Sequence, residues 1–231
     1  MADVQAPLIE TRALKKYFPV GDHSQLHAVD GINLKIYPGE TLGVVGESGC
    51  GKSTLGRTIL RLQEPTDGQI LYDGKDITKY NRRQMKQMRQ NMQLIFQDPY
   101  ASLDPRKSVV EIIAEYMIIN RTYPSKKEIY NYAAHLMDIV GLARRYANAY
   151  PHELDGGRRQ RIGIARALSL HPKFIVCDEP VSALDVSIQA QILNLLMDLQ
   201  DEMNLTYMFV THDLRSVYKE LHADHETGAA D

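Results

Sequence analysis

Two cysteines in 231 residues leave little scope for cysteine chemistry. Cys50 lies in a glycine-rich stretch and Cys177 in an apolar one, a placement that argues against a disulfide framework. Two thiols are also too few to hold a structural zinc or an iron–sulfur cluster by themselves. Charge of one sign is equally scarce. The chain has 27 Lys and Arg against 29 Asp and Glu, a formal net charge of −2. Without a global basic field, nucleic acid is not an expected partner. Long hydrophobic runs are missing: stretches such as 174–177 fall far short of the roughly 20 residues of a spanning helix. The first residues, Met1-Ala2-Asp3-Val4, lack the basic-then-apolar pattern of a leader. Neither an internal repeat nor a low-complexity segment is found. With 44% apolar and 24% charged residues, the composition is that of a globular protein. A cytosolic chain is expected, folded as one domain over 1–231 with a lobe attached.

Alternation and turn signals predict strands over 8–16, 28–36 and 41–45, with Pro38-Gly39 as a turn. A helix is expected over 53–62, with Leu55, Ile59 and Leu62 on one face. Asp67-Gly68 and Asp73-Gly74 bracket a hairpin around 69–72. A basic helix over 81–93 leads into Leu94-Ile95-Phe96-Gln97. Residues 100–152 read as broken helix and hold seven of the 13 tyrosines, a shift that marks a separate lobe. Beyond it come a helix (159–170), a fully apolar strand (173–177), an amphipathic helix (186–203) and a strand (205–210). The last residues, 222–231, are polar and small, as in a frayed tail.

Gly46-Glu47-Ser48-Gly49-Cys50-Gly51-Lys52-Ser53 fits the phosphate-binding pattern G-x-x-x-x-G-K-[S/T]. Strand, glycine loop and helix follow in the order the pattern requires. Glycines at 46, 49 and 51 let backbone N–H groups turn inward onto phosphate oxygens, and the helix near Ser53 adds its positive end. Lys52 then reaches the outer phosphates and the Ser53 hydroxyl ligates Mg²⁺. A chance match in such a chain is on the order of one in a hundred.

Other residues carry less signal alone. Asp178 and Glu179 end an apolar strand, where open α/β sheets bind ligands. Asp178 suits Mg²⁺ through water, and Glu179 suits a water-polarising base. Two solvated acids would look the same without the phosphate loop. His212 follows the strand 205–210, within range of a terminal phosphate, and Gln97 follows another; each is a common residue in a bland setting. Tyr17 suits a base-stacking platform or an exposed strand position about equally. Asp155-Gly156-Gly157 reads locally as a capped helix start. The Arg/Lys cluster at 82–89 reads as a solvated helix face.

Taken together, these residues resemble the ATP-binding-cassette (ABC) ATPases. Gly46–Ser53, Gln97, Asp155–Arg161, the strand ending in Asp178-Glu179, Ser182-Ala183-Leu184-Asp185 and His212 stand in that family's order and spacing. They look like its phosphate loop, glutamine loop, signature, Mg²⁺ strand, D-loop and switch histidine. Tyr17 sits where the family stacks adenine. Stretches 39–57, 96–105 and 179–192 are similar to one branch, the ATP-binding subunits of bacterial dipeptide and oligopeptide importers, in particular the second of their two paired ATPases. The resemblance covers about 8–215.

It implies an α/β P-loop fold of ABC type. A mixed β core spans about 8–97 and 161–221, with a small antiparallel part, and a helical lobe spans about 98–160. ATP and Mg²⁺ are the implied cofactors. Glu47, Ser48, Cys50 and Thr54 join the phosphate loop, Ser53, Gln97 and Asp178 surround the metal, and Lys52, Gln97, Glu179 and His212 serve hydrolysis. In the family, two ATPases work head to tail. Asp155, Gly156, Gly157 and Asp185 would thus act across the pair, on the partner's nucleotide. The implied partners are a second ATPase in a heterodimer, two membrane permease subunits and, indirectly, a solute-binding protein. The implied place is the inner face of a bacterial membrane.

Two departures stand out. The family signature reads Leu-Ser-Gly-Gly-Gln; here it is Leu154-Asp155-Gly156-Gly157-Arg158. An ionised Asp155 at ~4 Å from a phosphate charge would meet about 4 kcal/mol of repulsion at an effective dielectric of ~20. Arg158, three residues on, is placed to compensate. The family also continues beyond His212 with further core strands, which are expected to be missing here. The primary expectation is a transport ATPase. Its rivals are a weakly hydrolytic regulatory partner with a degenerate signature and a truncated, non-functional copy. ABC proteins of translation or repair are disfavoured by the importer-type stretches.

Overall fold

The computed structural model describes residues 6–21 and 24–212. The expected frayed tail, 222–231, lies outside them, as does everything beyond His212. Two four-stranded sheets carry the domain. The first is antiparallel, in the order β2-β1-β4-β5. It is built from β1 (Ile9–Val20), β2 (Ser24–Ile36), β4 (Asp67–Tyr72) and β5 (Lys75–Asp76). The second is parallel, β3-β8-β7-β6, from β3 (Thr41–Val45), β6 (Met92–Ile95), β7 (Phe174–Asp178) and β8 (Thr206–Thr211).

The parallel sheet is apolar on both faces, and its alternation divides the core in two. Phe174, Val176, Met208 and Val210 join Ile9, Leu14, Ile36 and Ile70 of the antiparallel sheet and Leu55 and Ile59 of α1 (Lys52–Ile59). Their strand neighbours Ile175, Cys177, Tyr207 and Phe209 face the helices instead. A strand covered on both sides reads as a continuous apolar run, which is why β7 and β8 lack visible alternation in sequence. Cys177 is fully buried, and burial pushes its thiol far up, so it is an inert packing residue.

The helical lobe is α3 (Pro99–Ser102), α4 (Val109–Asn120) and α5 (Lys126–Ile139), followed by two short 3-10 turns. Its helices start where their caps dictate. Glu111 accepts from the Ser108 backbone N–H at 2.8 Å, and the Ser125 hydroxyl accepts from the Glu128 N–H at 3.2 Å. Ile112, Ile113 and Met117 of α4 pack with Ile129, Ala133 and Leu136 of α5 against α6 (Gly156–Leu168).

Several expected boundaries move. The basic helix is shorter than its charge pattern suggests: α2 (Arg82–Met88) is closed at its start by reciprocal Asn81–Gln84 bonds, and the chain turns into β6 at Met92. The first two strands are longer, because they pair as far as Val20↔Ser24. That pairing slips register three times, the last between Lys16 and Tyr17. The amphipathic helix α7 (Val186–Met203) falls where its stripe places it.

Candidate nucleotide site

β3 ends at Val45, and the glycine loop joins it to α1. The loop closes tightly onto β2. Gly51 has φ +99, and a Cβ there would stand 2.0 Å from the Ala28 carbonyl oxygen. Only glycine takes this conformation in this space. Lys52, 7% exposed, curls back over the loop and donates from Nζ to the carbonyls of Gly46 and Glu47, both at 2.7 Å. The Cys50 sulfur lies 3.8 Å from the same ammonium.

The strand order of the parallel sheet brings the rest. β7 delivers Asp178, buried at 1% exposure. Its Oδ1 accepts from the Ser53 hydroxyl at 2.6 Å and its Oδ2 from Arg57 at 3.1 Å. The next residue, Glu179, leaves the strand with φ 47, a left-handed conformation uncommon for a side chain other than glycine. Strain of this kind concentrates at functional sites. The Glu179 N–H still bonds the Val210 carbonyl at 3.0 Å, so the backbone stays tied to β8 while the chain direction changes. Glu179 Oε2 accepts from Gln97 Nε2 at 3.0 Å and lies 3.5 Å from His212 Nδ1.

Apart from Cys50, Asp178 and Arg57, which are not on its wall, these side chains line one cleft of about 450 Å³. Ser48, Gly49, Gly51, Lys52, Ser53 and Thr54 form one side. Gln97, Glu179 and His212 form another, and Phe18, Leu26 and Ala28 an apolar end. Tyr17 is not on the wall. Its ring stacks on His27 at 3.8 Å, and its hydroxyl donates to Asp30, whose carboxylate raises the phenol to about 12. The aromatic side chain that the structure places on the cleft is Phe18. Upstream, between Thr11 and Leu14, β1 carries one extra residue against both neighbours, and such a bulge sets which face each of the two adjacent aromatic residues takes.

Asp155, Gly157 and Arg158 of the signature line a different hollow, of about 330 Å³, with Arg145, Tyr146 and Arg161; Gly156 is not on its wall. Asp155 caps α6: Oδ1 accepts from the Arg158 N–H at 2.8 Å, and Oδ2 pairs with the Arg158 guanidinium. The compensating contact expected from sequence is thus formed. Arg158 also lies 5.0 Å over the Tyr146 ring. Asp185 sits at the start of α7 and lines neither hollow.

A matching family model, described as ABC transporter, spans residues 29–182. The chain belongs to the ABC transporter family. This ABC chain is 53% identical over 211 residues to the oligopeptide transport ATP-binding protein OppF of Bacillus subtilis (strain 168), covering 91% of the chain and 69% of that protein. It is 47% identical over 221 residues to the dipeptide transport ATP-binding protein DppF of Escherichia coli (strain K12), covering 94% and 66%. The chain therefore spans about two thirds of the length of these relatives. Among solved structures it is similar to an ATP-binding cassette in a dimeric post-hydrolysis state bound to ADP and Pi. That match has TM-score 0.82 and 30% identity, and it covers 90% of each chain. The ABC fold expected from the motifs is the fold observed: a parallel sheet carrying the phosphate loop, an antiparallel sheet and a helical lobe. No helix among the described residues is long and apolar enough to cross a membrane.

Proposed function

We propose that the chain binds ATP in the cleft at its phosphate loop and hydrolyses it to energise peptide import through a membrane permease. The convergence of Lys52, Ser53, Gln97, Glu179 and His212 on one cleft, from four elements of the sequence, with Asp178 bonded to Ser53, carries this reading. The loop N–H groups and Lys52 hold the phosphates, and Lys52 exchanges its two carbonyl partners for phosphate oxygens. Glu179 takes the proton of the attacking water as general base. Gln97 fixes the Glu179 carboxylate, and His212, beside the same oxygen, positions the terminal phosphate. Phe18 offers an apolar face for the base, the role the family resemblance gives to Tyr17.

The residues present fit Mg²⁺. Among the described residues, no group of three or more His, Cys, Asp or Glu side chains could hold a metal ion. Mg²⁺ does not need one, since it keeps waters and takes most ligands from substrate phosphates. Ser53 and Asp178 would hold it, and it would neutralise the charge that builds on the phosphates during transfer.

The signature lies away from the chain's own cleft, which suits a head-to-tail pair in which Asp155, Gly156 and Gly157 meet the partner's nucleotide. We take that partner to be a second, different ATPase. The permease contact is assigned to a third hollow, of about 290 Å³, between the end of α1, β6 and α4. Leu62, Met92, Phe96 and Ile119 make it apolar, with Lys86 and Arg89 beside them. Leu62 and Ile119 are exposed at 48% and 54%, which leaves apolar surface for another chain to cover. With it we take the chain to work on the inner face of a bacterial membrane. Equilibrium binding of ATP to the purified chain, followed by phosphate release in the presence of its partner ATPase and permeases, tests the proposal. Failure to bind ATP at all would overturn it.

A further inference from the structure

Arg57 is the part of this site that the phosphate-loop pattern does not account for. It lies on α1 four residues after Ser53, one turn further along the same helix face. From there its guanidinium donates to Asp178 Oδ2 at 3.1 Å, while the Ser53 hydroxyl donates to Oδ1 at 2.6 Å. One face of α1 therefore grips both oxygens of a carboxylate delivered by β7. The Asp178 side chain is 1% exposed and that of Arg57 40%. Gly56 allows the two elements to close this far: a Cβ there would stand 2.7 Å from Val176 Cγ1 on β7.

We propose that Arg57 is a positioning residue for the divalent cation that accompanies ATP, acting through Asp178 on Ser53. The inference rests on the ATP site proposed above. Asp178 is buried, and its two oxygens are held by two different donors on α1. A serine hydroxyl brings no charge; Arg57 brings a permanent one. By holding Oδ2, Arg57 also stops the carboxylate from rotating, so Oδ1 remains the acceptor for Ser53. A serine hydroxyl has one proton and two lone pairs. With its proton committed to Asp178, Ser53 keeps its lone pairs for a cation in the cleft. The guanidinium charge does oppose a second cation nearby. Its head reaches solvent and is screened, however, whereas Asp178 is buried, so the orienting effect dominates.

The test is ATP binding to the whole chain, titrated with Mg²⁺ and separately in EDTA, for the parent, Arg57→Met and Arg57→Lys. Arg57→Met is expected to bind ATP in EDTA like the parent. It should need about tenfold more Mg²⁺ to reach half of the Mg²⁺-dependent gain, the usual scale of losing an outer partner of a metal ligand. Arg57→Lys, which restores the charge, should recover most of that shift. An unchanged Mg²⁺ midpoint in Arg57→Met would overturn the proposal. So would an equal loss with and without Mg²⁺, because a merely structural role moves both. Thermal melts of the apo-proteins control for folding; should Arg57→Met melt early, Arg57→Gln carries the comparison. A parent chain that binds no ATP in either condition would refute the ATP site itself, a different result from either of these.

Discussion

Gln97 and Glu179, 82 residues apart in sequence, meet at 3.0 Å, the Gln97 amide donating to Glu179 Oε2. The residue that opens the helical lobe thereby touches the general base of the proposed hydrolysis. In the free chain, the contact holds the carboxylate beside His212.

Glu179→Gln should leave ATP affinity intact and slow hydrolysis at this chain's site by about 10²–10⁴-fold, the range of a lost general base. Single-turnover phosphate release in a reconstituted pair measures it. Turnover at the parent rate would mean that Glu179 is not the base.

Lys52→Ala should weaken ATP much more than adenosine, because the ammonium and the loop N–H groups are directed at phosphates and not at the base. Parallel titrations of the two ligands decide this. Equal losses for both would place the phosphates elsewhere.

Gly51→Ala should lower stability by about 1–3 kcal/mol, since it combines an unfavourable left-handed φ with a Cβ placed against backbone. The Ala28 carbonyl oxygen 2.0 Å from that Cβ cannot rotate away as a side-chain tip would. Denaturant unfolding reads the loss, and ATP affinity should fall with it. An alanine variant as stable as the parent would show that the loop packs differently on β2.

The Asp155–Arg158 pair makes a distinct prediction. Their side chains are 57% and 43% exposed, so the ion pair adds only about 0–1 kcal/mol of stability. In the proposed head-to-tail pair, its effect would lie in neutralising the charge presented to the partner's nucleotide. Arg158→Gln alone should slow ATP hydrolysis at the partner's site, because it leaves Asp155 unpaired. Asp155→Ser with Arg158→Gln should restore it, so that a double-mutant cycle shows coupling. Additive effects would mean that the two residues act independently.

Crosslinkers placed at two tyrosines should separate two faces of the lobe. Tyr116 lines the apolar hollow assigned to the permease. Tyr123 instead packs on Tyr132, with its hydroxyl 3.3 Å from His171. Photocrosslinks from position 116 should reach a permease subunit and those from 123 should not. The reverse pattern would move the docking face.

What the sequence determined by itself is local. The glycine loop between a strand and a helix, the apolar run ending in Asp178-Glu179 and the stripe of α7 are spelled by neighbouring residues, and the structure has each of them. The cap of Asp155 on its own helix and its pairing with Arg158 also lie within i,i+3 reach and could be read in advance. What only the tertiary structure decided is register and strand order. Tyr17 and Phe18 are adjacent, and on a strand adjacent side chains point to opposite faces. The extra residue that β1 carries between Thr11 and Leu14 therefore chooses between them, and its position depends on pairing with β2 and β4, not on composition. The grip of Arg57 on Asp178 spans 121 residues. It exists because β7 lies inside the parallel sheet and because Gly56 lets α1 sit close upon it, a distance set by packing across the core that no periodicity along the chain encodes.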